Sequence, residues 1–279
     1  MRTEEWEQLG ARDRYLAVVR GYALSRREQP VLSHDSAAVA WGLPHVGPQP
    51  HEVHIANDDP RGGRARAGVR AHLMRLEPDD VTTVDGVLVT SLRRTIVDLA
   101  ATASVMTAVS AIDHVLHVDR RGVARTEVTR EELLELLGAA LPLRGSVRAL
   151  ARIEFGESGA ANAGESTSRV TLAHIGAPAP ILQRTFVTEL GEFDTDFYFE
   201  EADTAAELDG KQKYLDPAFR SGRSAERVVY DEKLREDAIR RRVRAFLRWG
   251  MAAGMNRDTL RTLLVSVGVP VGRARPRIS

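Results

Sequence analysis

Two short stretches concentrate the side chains that could do chemistry. Residues 193–199 read FDTDFYF and residues 204–214 read TAAELDGKQKY. In an extended chain successive side chains point to opposite faces. Phe193, Thr195, Phe197 and Phe199 therefore share one face, and Asp194, Asp196 and Tyr198 the other. Likewise Ala206 and Leu208 oppose Ala205, Glu207 and Asp209, with Lys211 and Lys213 continuing the acidic side. If the loop 200–203 closes a hairpin, Asp196 falls opposite Glu207 and Asp194 opposite Asp209. Opposed Cβ atoms lie roughly 4.5–5.5 Å apart, and like charges at that spacing repel. A hard divalent cation, Mg²⁺ or Mn²⁺, is one remedy, since such ions take carboxylates together with substrate phosphate. The plainer reading is a half-solvated hairpin in which Lys211 and Lys213 are ordinary salt-bridge partners.

Other residues could join that patch. Glu165 opens a helical stretch after Gly164 and is either a further metal ligand or a first-turn acid favoured by the helix dipole, with Arg169 one turn on. The segment 233–249, KLREDAIRRRVRAFLRW, is locally basic. Arg235, Arg242, Arg244 and Arg248 in it are expected to hold a nucleic-acid backbone, or else to cover a solvated helix end. PRGGRARAGVR, at 60–70, is a second basic stretch. His114 and His117 have helical metal spacing but bring no third ligand of their own. GESTS at 164–168 lacks the last glycine of a nucleophile elbow, and no phosphate-binding glycine motif occurs.

The elements that must position these groups follow from pattern and bulk composition. The chain has 279 residues, 43% hydrophobic and 28% charged, a length for about two soluble domains. Its 39 basic and 39 acidic residues cancel, which excludes a histone-like polycation but not local basic patches. There is no cysteine, hence no disulfide framework and no thiolate metal site. The charged N-terminus does not read as a secretory signal, and no apolar run approaches the roughly 20 residues of a membrane helix, so a cytoplasmic protein without membrane contact is expected.

Helical spacing covers much of 1–30, and Ser33 caps a short helix, HDSAAVAW. Strands are expected at 51–56 and 69–76, and VTTVDGVLVT forms a hairpin about Asp85-Gly86. Thr90 or Ser91 can cap a helix that continues intermittently to about 118, and a capping box at Thr129 and Glu132 opens another. Beyond the small-residue stretch 156–164 come a helix at 165–175 and strands at 181–190 and 193–199, turning at Gly191-Glu192. A strand at 204–209, a charged helix from about 224, a strand at 243–249 and a helix at 256–266 complete the pattern. The fold class is α/β (α+β), a small α+β and helical unit over 1–145 and a second unit over 150–279.

Two family resemblances add to this reading. Gly164-Glu165-Ser166, Asp196-Phe197, Glu207-Leu208-Asp209-Gly210, Lys213-Tyr214 and the charged helix at 232–237 resemble the PD-(D/E)xK nuclease-like domain of the very-short-patch-repair-like group, over roughly 150–265. That resemblance implies a restriction-endonuclease-like mixed sheet flanked by helices. It also implies a Mg²⁺-dependent endonuclease acting on DNA, with Asp196 and Glu207 holding the metal, Asp209 beside them and Glu165 assisting. The family lysine falls on Asp209, so Lys211 and Lys213 both stand for it, and an inactive domain that binds DNA without cutting is the alternative.

The first half, from Leu32-Ser33-His34-Asp35 through Trp41-Gly42-Leu43 to Ser91-Leu92-Arg93-Arg94-Thr95, resembles the AbiEi-type antitoxin region. This implies a toxin–antitoxin regulator and a protein partner or DNA contact through the first unit. Such antitoxins usually carry a winged helix ahead of this region, and the roughly 30 residues before it are too few for one.

Overall fold

In a computed structural model the described residues are 3–58, 67–209, 225–273 and 278. Lys211, Lys213 and the basic sequence at 59–66 lie outside them. The chain divides into Met1–Ser158 with Ile278–Ser279, and Gly159–Arg277.

The first unit opens with α1 (Thr3–Gln8) and α2 (Ala11–Leu24), which buries Tyr15, Val19 and Ala23. The short helix α3 (His34–Ala40) begins after Ser33. Strands β1 (Val53–Asn57) and β2 (Val69–Leu73) pair in parallel, and β3 (Val81–Val84) and β4 (Val87–Thr90) form the expected hairpin. Asp85 and Gly86 both have positive φ, the geometry of a tight two-residue hairpin turn. Leu32 connects the two ladders, bridging Ile55 on one side and Val89 on the other. Its amide donates to the Leu88 carbonyl at 2.9 Å and its carbonyl accepts from Thr90 at 2.8 Å.

A helical layer follows: α4 (Leu92–Thr102), α5 (Val105–Leu116), α6 (Arg130–Ala139) and α7 (Ser146–Phe155). The caps explain their starts. Ser91 and Ser104 accept from amides three residues on, and Thr129 and Glu132 make the reciprocal capping box. Ile96, Leu99, Ile112, Leu133 and Ile153 close the core between them. Arg152 is buried, and its guanidinium donates to the Ala100 and Ala103 carbonyls at the end of α4. Burial lowers that guanidinium to about 10.

The second unit is a four-stranded mixed sheet with helices on both faces. Helix α8 (Ala163–His174) leads into β5 (Ile181–Thr188), β6 (Gly191–Phe199) and β7 (Thr204–Asp209). Helix α9 (Ala225–Arg240), β8 (Ala245–Gly250), the short α10 (Met251–Gly254) and α11 (Arg257–Ser266) follow. The sheet order is β5-β6-β7-β8, antiparallel except for the parallel pair β7–β8. Parallel neighbours need a long crossover, and α9 lies in it. One sheet face packs Phe197, Phe199, Leu247 and Trp249 against Leu172, Ile175, Leu260 and Leu264. The other packs Ala205 and Phe246 against Ile239 of α9.

The turn between β5 and β6 differs from expectation. Thr188 pairs with Gly191, so Glu189-Leu190 form the turn and Gly191-Glu192 already belong to the strand. The Thr188 hydroxyl ties the turn, donating to the Gly191 carbonyl and accepting from the Leu190 amide.

Candidate functional site

The β6–β7 hairpin has the register that opposes the two acidic strands. Phe197 pairs with Ala206, Tyr198 with Ala205 and Phe199 with Thr204. The ladder stops there. The Asp196 carboxylate accepts the Leu208 amide at 2.7 Å, so a side chain replaces the next backbone bond. The Asp194 carboxylate accepts from the Thr185 hydroxyl at 2.6 Å, across the other strand pair.

Glu207 is 6% exposed and meets two cations. Its Oε1 accepts from Arg235 of α9 at 2.6 Å and its Oε2 from Arg248 of β8 at 2.8 Å. Arg248 is its register partner in the parallel β7–β8 ladder, so the two side chains rise together from neighbouring strands. Arg248 reaches further, to Glu232 at 3.1 Å and Glu236 at 3.2 Å on α9. Burial alone would depress this guanidinium, but the carboxylates of Glu207, Glu236 and Glu232 hold it above its ordinary value. Arg235 also donates to the Asp194 carbonyl at 2.6 Å and lies over the Phe193 ring.

Glu165 is 2% exposed on the first turn of α8. One carboxylate oxygen accepts from the Ala161 amide at 2.8 Å and from Gln183 at 3.2 Å, and the other from the Asn162 side-chain amide. Asn162 Oδ1 in turn accepts from the Gly164 and Glu165 amides, a reciprocal cap. Asp209 ends β7, half-buried, opposite Gly250.

The basic residues divide. Arg244 is held by the Ala202 and Val267 carbonyls at 3.0 and 2.7 Å, which makes it a turn staple. Arg235 and Arg248 belong to the Glu207 network, and Arg242 is half-exposed and 3.9 Å from Glu189. Of the two helical histidines, His114 accepts from Arg125 at 3.1 Å and His117 contacts the Ser158 carbonyl at 3.0 Å.

This donor set, as placed, does not fit a divalent ion. Mg²⁺ needs oxygens at about 2.0–2.1 Å in near-octahedral array, each with a lone pair free to face it. Glu207 already faces two guanidinium groups, and among the described residues no group of three or more His, Asp or Glu side chains is disposed to hold a metal. Chemically the cluster is an arginine–carboxylate clamp joining β7, β8 and α9.

Sequence reasoning missed a second cluster. His34, at the start of α3, stacks on His72 of β2 with centroids 3.5 Å apart, and His54 of β1 approaches His72 at 5.0 Å. The His54 and His72 ring nitrogens lie 3.4 Å apart, and Asp35 lies 3.6 Å from His54. Burial, then the neighbouring rings, hold His34 down to about 2. Burial also holds His54 and His72 down to about 4. The parallel pairing of β1 with β2 brings these rings together, and nothing in a single strand's alternation signals it.

The chain is thus an α+β protein whose second unit is a mixed sheet carrying an arginine–carboxylate clamp. Residues 30–150 match the AbiEi antitoxin C-terminal domain family. No curated protein and no solved structure shows significant similarity to the chain. No described helix is long and apolar enough to cross a membrane.

Proposed function

We propose that this chain is an antitoxin-like regulatory protein that acts by binding, to DNA or to a protein partner, and that residues 159–277 are a nuclease-like scaffold without a working metal site. The observation that carries the reading is the match of residues 30–150 to the AbiEi antitoxin C-terminal domain. The state of Glu207 supports it, because a carboxylate neutralised by Arg235 and Arg248 has no charge left to attract a catalytic cation. Arg241 and Arg242, just past α9, share the single carboxylate of Glu189 and are 60% and 51% exposed, which leaves positive charge there for phosphate contact.

The test combines duplex binding with a cleavage assay. Fluorescence anisotropy with a labelled DNA duplex is run in EDTA and in Mn²⁺, from roughly 50 to 200 mM salt, over which phosphate contacts lose affinity steeply. Binding that is metal-independent and salt-sensitive, with supercoiled plasmid left intact, is expected. The mixed sheet flanked by helices favours the endonuclease as the second reading. Plasmid cleavage in Mn²⁺ that disappears in Glu207→Ala would establish that reading and overturn ours.

A further inference from the structure

The first unit carries a groove of about 980 Å³, at the upper end of the size range of ligand pockets. One wall is the end of β2 and the turn after it, and the other is α6 with the loop that follows. Its apolar part includes Leu73 and Leu141, 64% and 56% exposed, beside Met74 and Leu136. Two large aliphatic side chains that open to solvent within one concavity are a feature of interaction surfaces.

Among the described residues the charges of the groove do not cancel. Arg94 is paired with Asp80 at 3.1 Å, Arg75 with Glu77 at 3.2 Å and Arg93 with Glu132 at 3.6 Å. Those pairs use the arginines that line it. Asp58, Asp79 and Glu135 line it too, are exposed, and have no cationic partner among the described residues. Three carboxylates that no described cation compensates, beside exposed Leu73 and Leu141, repel a phosphate backbone and attract a cation attached to an apolar body.

We propose that this groove docks a cationic, amphipathic segment of a partner protein. Aliphatic or aromatic anchors of the segment cover Leu73 and Leu141, and its lysines or arginines meet Asp58, Asp79 and Glu135. The inference stands on the groove and does not require the antitoxin reading, since a chain that cut DNA could dock the same segment.

A random 12-residue peptide library displayed on phage, panned against the full chain, tests it. Enrichment of peptides that combine Lys or Arg with Leu, Ile or Phe is expected. A synthetic representative should lose about tenfold in affinity on Asp79→Lys with Glu135→Lys, and bind more weakly as salt rises. Leu73→Asp should abolish binding. All three positions are exposed, and a thermal melt checks that each variant folds. Failure to enrich such peptides, or equal binding to wild type and both variants, would overturn the proposal. Self-association in sedimentation velocity that is lost in Leu73→Asp would overturn it too, by assigning the groove to a second copy of the chain.

Discussion

Glu207 and Arg248 sit side by side on two parallel strands, 2.8 Å apart, with Arg235 closing on the other carboxylate oxygen from the helix above. The position that a nuclease reading assigns to a metal is thereby filled from within the chain. The strand pattern that groups carboxylates on one face also groups the arginines that answer them.

Removing Arg248 leaves a nearly buried carboxylate with a single cation. Arg248→Met is expected to cost about 2–3 kcal/mol, near the lower end for truncating a buried, hydrogen-bonded charge pair, because Arg235 remains. Urea denaturation measures it. The double variant Glu207→Leu with Arg248→Met should be less destabilised than the sum of the two single variants. Additive losses would show that the pair is not coupled.

The histidine cluster gives stability a definite pH dependence. The ordinary value is 6.5, and the fold holds His54 and His72 at about 4 and His34 at about 2. The unfolded chain therefore takes up protons first as pH falls below 6.5, and the stability present above that value is lost progressively towards pH 4. Each residue contributes a slope of up to about 1.4 kcal/mol per pH unit, less for the partly exposed His72. Asp98, raised to about 6 by burial, works in the opposite direction below that pH. The clean readout is the difference between wild type and His72→Gln in thermal melts from pH 7 to 4.5, with a shallower slope expected in the variant.

Glu165 acts as a cap in this fold. Glu165→Ala should lower stability by about 1–3 kcal/mol, the range for losing hydrogen bonds to a charged acceptor. The same loss is expected in EDTA and in millimolar Mg²⁺, since a ligand that binds the folded state would stabilise wild type selectively. A Mg²⁺-dependent rise in wild-type Tm that vanishes in this variant would return Glu165 to the list of metal ligands.

Gly176, just past α8, has φ +66°, and a β-carbon there would strike the backbone of Gly272 and Arg273. Backbone cannot yield as a flexible side chain does, so Gly176→Ala is expected to cost more than the roughly 1 kcal/mol of a left-handed residue alone. Gly21→Ala, within α2 and with nothing near its β-carbon, serves as the control and should be neutral or slightly stabilising.

Much of this architecture was legible in the residues. The Asp85-Gly86 hairpin, the caps at Ser91 and Thr129 and the β6–β7 register all rest on local chemistry, and local chemistry is what a sequence displays. The fates of the charged side chains were not legible. Arg235 and Glu207 are far apart in sequence and meet because α9 crosses over the sheet, and Arg244 is used up by carbonyls that no spacing rule reveals. The helix α7 carries no strong start signal, since its N-cap is Gly145 with no side-chain cap, and the pattern assigns no element there. His34, His54 and His72 escaped notice because parallel pairing, unlike a hairpin, leaves no mark in the intervening sequence.

Leu32 is a strand of one residue, yet it is the seam along which two separate ladders are sewn. Its neighbours inherit that constraint: Val31 serves Ala56, and Ser33 takes the His54 carbonyl before α3 begins. Inserting a single residue between Gln29 and Leu32 would therefore present the wrong face of the chain to both partners at once, and turn the α3 histidine away from its stack. One paired residue thereby fixes the length of chain that leads into it.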